Sequence, residues 1–244
     1  MMIRRCFELL NSGEYEKALK VALEGVKKHP DNFDALLCLG RAYLEMGELK
    51  QALKYLRKAE KLAIEPDEHR DVSHLLGRTY WFMGKVEKAL DYYEKQVYLS
   101  QFMADTEGTA DALVALAEVC EGIGKQEKAL ELLHMALGIM PEEKAGNIYN
   151  SVAIIYSDME DFEKALWYFL KSLEVSKKAK DQYGIAMCLL NIGSTYRELK
   201  RYDLAQQCLL SGLDEAYKLY KRIGSKGDLQ AIEEKIFDLD QDVN

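Results

Sequence analysis

Histidine and cysteine are the first residue types to test for chemistry, because imidazole and thiolate groups serve as metal ligands and nucleophiles. The 244-residue chain has four histidines and five cysteines. They form no CxxC, HxxxH or HExxH motif, and the chain has no glycine-rich phosphate-binding motif. We therefore predict no metal site, no cofactor and no enzymatic activity.

The cysteines also bear on the compartment. They are Cys6, Cys38, Cys120, Cys188 and Cys208. An odd number fits no complete disulfide framework, and all five fall in helix-forming stretches where a free thiol behaves as a small hydrophobic group. The chain shows no signal-peptide pattern and no apolar run near the ~20 residues needed to cross a bilayer. We predict free thiols, no membrane contact and a cytoplasmic location.

The net charge argues against a nucleic-acid partner. The formal charge is −8 at pH 7. Binding to phosphates requires a basic face that displaces counterions, and the short basic pairs of this chain are more simply explained as solvated helix faces. The expected partner is a protein or a peptide.

A spaced alanine gives the organisation of the chain. The tetrapeptide Glu-Lys-Ala-Leu occurs four times, with two weaker copies. Its alanines are Ala18, Ala52, Ala89, Ala129, Ala165 and Ala205, separated by 34, 37, 40, 36 and 40 residues. Such a period is the signature of a repeat protein.

Each alanine is preceded by the same pattern. Twelve residues upstream lies a small residue: Cys6, Gly40, Gly77, Ala117, Ala153 and Gly193. An aromatic or other large residue follows three positions later in most copies, and four copies have a glycine five residues before the alanine. The small residue and the aromatic share one face of a first helix. The glycine can adopt the positive φ that ends this helix, and the alanine begins the buried stripe of a second helix. Each unit is thus a helical hairpin, and stacking supplies the core that one hairpin lacks.

These residues resemble the tetratricopeptide repeat, whose pattern W-x2-L-G-x2-Y … A-x3-F … P is nearly matched at Leu36, Leu39-Gly40, Tyr43, Ala52 and Leu56. The resemblance covers roughly residues 1–220. It implies an all-α, right-handed α-α superhelical solenoid of six hairpins plus a C-terminal capping helix in one domain. The predicted repeats are 1–31, 32–67, 68–105, 106–143, 144–181 and 182–224, and the predicted capping helix is 228–240.

Two junctions are stretched to 40 residues, and each carries Asp-x-x-Gly, at 105–108 and 181–184. Similar elongated repeats occur in kinesin light chains, in adaptors of the LGN kind and in bacterial peptide-sensing regulators. We expect the extra length to extend the second helix of the hairpin by about six residues, or ~9 Å.

The family resemblance implies that partners bind on the concave face formed by the first helices. Groove positions are then counted from the small residue of each repeat. The candidate peptide-binding residues are Arg41, His74, Arg78, Trp81, Asn147, Asn150, Asn191, Ser194 and Arg197.

The candidate groove residues divide into two groups. Arg41 and Arg78 hold equivalent positions, so their guanidinium groups are expected to be neighbours. They could bind a partner's carboxylate or pair internally with Asp34, Asp71 and Asp111. Asn147, Asn150 and Asn191 fall in the last two repeats, where amides could hold the backbone of an extended peptide. A helix-capping role is the alternative for Asn147.

The groove lacks the Lys, Arg and Asn set of the chaperone-tail clamp known in this family, which disfavours recognition of a terminal carboxylate by that route. His74 and Trp81 suggest an amphipathic or aromatic peptide, although Trp81 could equally be packed between repeats. We predict an adaptor that binds a peptide or helix of a partner. The alternative is a sensory module that changes its superhelical shape on binding a peptide.

Overall fold

The computed structural model describes residues 2–223, which form twelve α-helices and one 3-10 turn. The chain divides into two compact units, Met1–Ile123 and Gly124–Asn244. Helices of the first unit are α1 (Met2–Asn11), α2 (Tyr15–Lys28), α3 (Phe33–Glu45), α4 (Leu49–Leu62), α5 (Pro66–Phe82), α6 (Val86–Phe102) and α7 (Thr106–Gly122). Helices of the second are α8 (Gln126–Ile139), α9 (Gly146–Asp158), α10 (Phe162–Ala179), α11 (Gln182–Glu198) and α12 (Tyr202–Ile223), with the 3-10 turn Glu142–Lys144 between α8 and α9. The predicted all-α repeat fold is confirmed, and the predicted capping helix 228–240 lies outside the described residues.

The hairpin turns have the backbone geometry that the glycine spacing predicts. Gly13, Gly47, Gly84 and Gly124 have φ between 69° and 77°. Glu160 and Lys200 occupy the equivalent turns at φ 61° and 59° without a glycine. The turn is therefore a property of the repeat, and two copies form it against the preference of their residue.

Small residues allow the two helices of a hairpin to approach closely. A β carbon at Gly40 would lie 2.5 Å from Leu56 Cδ2, and one at Gly193 would lie 2.6 Å from Leu209 Cγ. A β carbon at Gly77 would lie 3.1 Å from the Tyr93 ring. In each case the small residue meets the side chain four positions after the repeat alanine, as the alignment predicts.

Stacked tyrosine pairs occupy the space beside this contact. Tyr43 stacks on Tyr55, Tyr80 on Tyr92 and Tyr156 on Tyr168, with ring centroids 5.6–5.7 Å apart and interplanar angles of 8–20°. Each pair joins the first helix of a hairpin to the second. Offset stacking of this kind adds to the stability gained from burying the rings.

The stretched junctions lengthen the second helix, but by three or four residues and not by the predicted six. Helices α6 and α10 have 17 and 18 residues, against 14 in α4. The following first helices α7 and α11 both have 17 residues, against 13 in α3. The extra length is shared because Asp105 and Asp181 are the N-caps that start the next helix early. The side chain of Asp105 accepts a hydrogen bond from the Gly108 amide at 2.8 Å, which explains the Asp-x-x-Gly spacing.

The prediction that all cysteines are free thiols is wrong for two of them. Cys6 of α1 and Cys38 of α3 are joined as a disulfide. The two residues lie at different positions of neighbouring repeats, so the spacing within one repeat did not bring them together. Among the described residues, no helix is both long and apolar enough to cross a bilayer.

Candidate functional site

The first helices of the repeats line two cavities, one in each unit. The cavity of the first unit, here the Arg/Asp cavity, has a volume of about 600 Å³ and receives side chains from α1, α3, α5, α6 and α7. The cavity of the second unit, here the Asn cavity, has a volume of about 310 Å³. Its lining residues are Ile154, Ser157, Asp158, Phe162, Phe169, Asn191, Ser194, Thr195 and Glu198.

Arg41, His74 and Arg78 all line the Arg/Asp cavity, as the groove positions predict. The two arginines lie close to each other, as predicted, because both approach the carboxylate of Glu45. Arg78 donates to both carboxylate oxygens of Glu45, at 2.9 and 3.4 Å. Arg41 lies 3.9 Å from the same carboxylate and donates to Asn11 Oδ1 at 2.9 Å.

The predicted internal partners Asp34, Asp71 and Asp111 are therefore wrong for these arginines. Asp71 pairs instead with Arg70, which also binds Asp105 at 2.7 Å. The aspartates lie in the N-terminal half of each first helix. The acceptors Glu45 and Asn11 lie at the C-terminal end, one turn beyond Arg41 and its equivalent in the first repeat. The arginines therefore bond to Asn11 and Glu45, which are the nearer acceptors.

Burial and neighbouring charges shift the pKa values of side chains in the Arg/Asp cavity. Burial raises the pKa of Asp111, and the carboxylates of Glu107 and Asp105 raise it further. Burial lowers the pKa of His74, while a 3.2 Å hydrogen bond between its Nδ1 and Gln96 Oε1 acts in the opposite direction. The net effect lowers the pKa of His74 and so favours its neutral form. The His74 ring packs edge-on to Tyr93.

Trp81 is half-buried and packs between repeats, which is one of the two alternatives that the sequence left open. A β carbon at Gly122 would lie 2.6 Å from the Trp81 ring. The indole thus packs on the last residue of α7, where glycine leaves room for it. Trp81 is held between neighbouring first helices and does not line the Arg/Asp cavity.

The predicted asparagines separate into a pair and a single residue. Asn191 Nδ2 donates to Asn150 Oδ1 at 3.1 Å, which joins α11 to α9 at the Asn cavity. Both side chains are half-buried. Asn147 is exposed, and its Oδ1 accepts from the Ile148 amide at 2.9 Å. Asn147 is not the N-cap of α9, which is Ala145.

Two other predicted residues lie on α11. Ser194 is exposed and lines the Asn cavity. Arg197 is exposed one turn later, with its Nε 3.7 Å from Glu198.

Family models for the tetratricopeptide repeat match residues 70–142 and 144–222, and a further model of the same repeat matches residues 8–67. The chain belongs to the tetratricopeptide repeat family. Tetratricopeptide repeats stack into extended concave surfaces that bind other proteins, so a role in protein interaction follows from family membership.

The chain is also similar to individual proteins. The response regulator aspartate phosphatase I of Bacillus subtilis is 43% identical over 70 residues, which is 29% of this chain and 16% of that protein. The 43 kDa receptor-associated protein of the synapse from Tetronarce californica is 25% identical over 229 residues, covering 84% of this chain and 53% of that protein. The chain thus spans about half or less of these relatives. The crystal structure of the apo form of RapI superposes with a TM-score of 0.69 at 22% identity, covering 96% of this chain and 70% of that one.

One position of the repeat, whose residues contact the arginines of one cavity or line the other, was not predicted from the sequence. Five residues after the small residue stand Asn11, Glu45, Asp158 and Glu198 in repeats one, two, five and six. All four are polar, and each is the last residue of its first helix, whereas Phe82 and Gly122 hold this position in repeats three and four. The recurrence of a polar residue at a fixed offset was the signal available in the sequence.

Proposed function

We propose that this chain is an adaptor that holds an extended peptide or a helical segment of a partner protein against its first helices, with the Asn cavity as the principal contact. The observation that carries the proposal is the bond between Asn191 and Asn150. A carboxamide offers two donors and one acceptor. Within residues 2–223, neither side chain makes another hydrogen bond.

The pair therefore has an amide and a carbonyl left to offer. These are the groups that complement the C=O and N–H of a peptide backbone. The half-buried setting strengthens such bonds because less water competes for them. If the pair binds the peptide backbone, a side chain of the peptide can enter the adjoining cavity. The cavity volume of about 310 Å³ is at the small end for a ligand pocket and suits a single side chain.

The test compares capture of partners by three variants of the full chain. Immobilised wild type, Asn191→Ala and Gln207→Ala are exposed to a lysate of the native cells, and the retained proteins are quantified by mass spectrometry. Gln207 is a matched control, because it is an exposed amide on the second helix α12. We expect Asn191→Ala to reduce retention of the specific partner by about tenfold, as loss of one or two hydrogen bonds predicts. Gln207→Ala is expected to change nothing.

Thermal unfolding of each variant separates binding from folding. Asn191 is half-buried and makes one side-chain hydrogen bond, to Asn150. Asn191→Ala is therefore expected to lower the free energy of unfolding by only about 0.5–1.5 kcal/mol and to leave the chain folded. Retention of the same partner at wild-type level by a folded Asn191→Ala variant contradicts the proposal.

A sensory module is the second candidate, favoured by the 43% identical segment shared with a response regulator phosphatase. Small-angle scattering of the full chain with and without the captured partner peptide distinguishes the two functions. An unchanged radius of gyration supports the adaptor, whereas a change on binding supports the sensor.

A further inference from the structure

The first three repeats contain an internal pattern of arginine contacts. The residue one position after the small residue is arginine in repeats two and three. Each of these arginines bonds to the polar residue that ends the first helix of the preceding repeat. Arg41 donates to Asn11, and Arg78 donates to both oxygens of Glu45.

The same pattern is incomplete in the second unit. Asp158 ends α9 and is equivalent to Asn11 and Glu45. In repeat six, Ser194 holds the position that Arg41 and Arg78 hold in repeats two and three. By the same pattern, this residue would contact Asp158. A serine is too short to extend across the cavity as an arginine does. Both Asp158 and Ser194 line the Asn cavity, so the space between them is open.

The charge balance of the Asn cavity is consistent with a missing cation. Its lining includes the carboxylates of Asp158 and Glu198 and no basic residue. Glu198 has Arg197 Nε at 3.7 Å. Within residues 2–223, Asp158 makes no ion pair. Both carboxylates stand at helix C-termini, where the helix dipole disfavours negative charge and favours a nearby cation. Glu45 stands in the same position and has Arg78 beside it.

The walls of the Asn cavity suit the stem of a long side chain. Phe169 is buried, and Phe162 and Ile154 are half-buried, so they form an apolar floor. Asp158, Ser194 and Glu198 are exposed and form the rim. An aliphatic stem with a charged end buries its methylenes on such a floor and keeps its charge at the rim.

We propose that the Asn cavity binds an arginine side chain of the partner, whose guanidinium occupies the place that Arg78 fills in the first unit and pairs with Asp158. This inference rests on the proposed peptide-binding function of the Asn150–Asn191 pair. Arginine suits the site better than lysine, because its planar fork donates to both oxygens of one carboxylate, as Arg78 does to Glu45.

The probes are three pools of fluorescent nonapeptides that differ in the fixed fifth residue. That residue is arginine, citrulline or norleucine, and the other positions are random without lysine or arginine. Citrulline has the shape of arginine without its charge. Binding to the full chain is followed by fluorescence anisotropy, with wild type, Asp158→Asn, Glu163→Gln and Asn191→Ala. Glu163→Gln is the matched control, because Glu163 is an exposed carboxylate on the second helix α10.

We expect the arginine pool to bind wild type about tenfold more tightly than the citrulline pool, the size of one charge-assisted contact. Asp158→Asn is expected to remove this difference, and Glu163→Gln to preserve it. Equal binding of the arginine and citrulline pools to wild type, with binding lost in Asn191→Ala, overturns the arginine proposal and leaves the peptide-binding function standing. Absence of binding by every pool counts against both.

A second measurement needs no peptide. Ser194→Arg restores in the chain itself the arginine that repeats two and three have. We expect it to raise the urea midpoint of unfolding in the wild-type background and to have no such effect in the Asp158→Asn background. An equal effect in both backgrounds overturns the assignment of Asp158 as the acceptor.

Discussion

Backbone strain at the turn within each hairpin distinguishes the last two repeats from the first four. Glu160 and Lys200 hold the positive φ that glycine holds in the first four turns. For a residue with a β carbon, the left-handed conformation costs about 1–2 kcal/mol. The turn persists because the two packed helices on either side of it determine the direction of the chain.

Glycine at these turns should therefore stabilise the protein. We expect Glu160→Gly and Lys200→Gly each to raise the free energy of unfolding by about 0.5–1 kcal/mol, because the relieved strain exceeds the added freedom of the unfolded chain. Urea unfolding measures the change. Gly84→Ala is the reverse control: its β carbon would meet no atom within 4 Å, so any loss of stability reports φ strain alone. A lower free energy of unfolding in both glycine variants contradicts this account.

His74 makes the stability of the protein depend on pH. Burial is the largest cause that lowers its pKa from the usual 6.5, and the nearby Arg78 also lowers it. The unfolded chain therefore binds a proton near pH 6.5 that the folded chain resists. The contribution of His74 to stability is present above this pH and is lost as the pH falls through the folded pKa.

The variant His74→Gln removes this titration and can retain a hydrogen bond to Gln96. We expect it to lose less stability than wild type between about pH 7.5 and pH 5, measured by urea unfolding at both values. Parallel losses in the two proteins would falsify the assignment of this pH dependence to His74.

At the scale of helices, the sequence predicted the hairpins because each turn and each close contact has a local residue signature. Gly40, Gly77 and Gly193 occur where a second helix approaches, and this is visible as a spacing. The partner of Arg78 was not visible in this way. Glu45 is 33 residues away in the preceding repeat, and several carboxylates in the sequence were equally plausible partners. The division of the extra residues between α6 and α7 depended on the cap at Asp105, and capping residues also occur within loops.

Glycines in helices should respond oppositely to alanine, depending on what they face. Gly193 faces Leu209, whose backbone nitrogen would lie 3.0 Å from an added β carbon. We expect Gly193→Ala to lower the free energy of unfolding by about 1–3 kcal/mol through overpacking. Gly138 is exposed near the end of α8, with no atom within 4 Å of an added β carbon. There alanine should raise the free energy of unfolding by up to about 1 kcal/mol, because glycine disfavours helix.

Urea unfolding of both glycine variants measures the change in the free energy of unfolding, which we expect to be negative for Gly193→Ala and positive for Gly138→Ala. Equal effects of Gly193→Ala and Gly138→Ala would show that the close approach of α11 and α12 does not limit the residue at position 193. The comparison needs no assumption about the binding function.

For residues 2–223, packing inside each compact unit is local along the sequence. Within each unit, the helices that pack together are neighbours in sequence or alternate first helices, such as α3 with α5 and α9 with α11. Stability in such a protein is close to a sum of hairpin terms and nearest-neighbour interfaces. The candidate sites follow the same logic. The Asn150–Asn191 pair joins adjacent repeats, so its residues could be predicted from the alignment. The role proposed for Asp158 depends on comparison with the Arg78–Glu45 contact.

Local packing predicts that damage to one hairpin stays local. Gly193→Ala should speed amide hydrogen exchange in α11 and α12, and to a smaller extent in their neighbour α10, because the α11–α12 interface is weakened directly. Helices α3 to α5 should keep wild-type protection, since none of their contacts involves residue 193. Hydrogen exchange with mass spectrometry on wild type and Gly193→Ala provides the measurement, and Gly138→Ala is the control for handling. A uniform rise of exchange across both units would mean that the chain unfolds as one cooperative body, and nearest-neighbour stability would then be the wrong description of this protein.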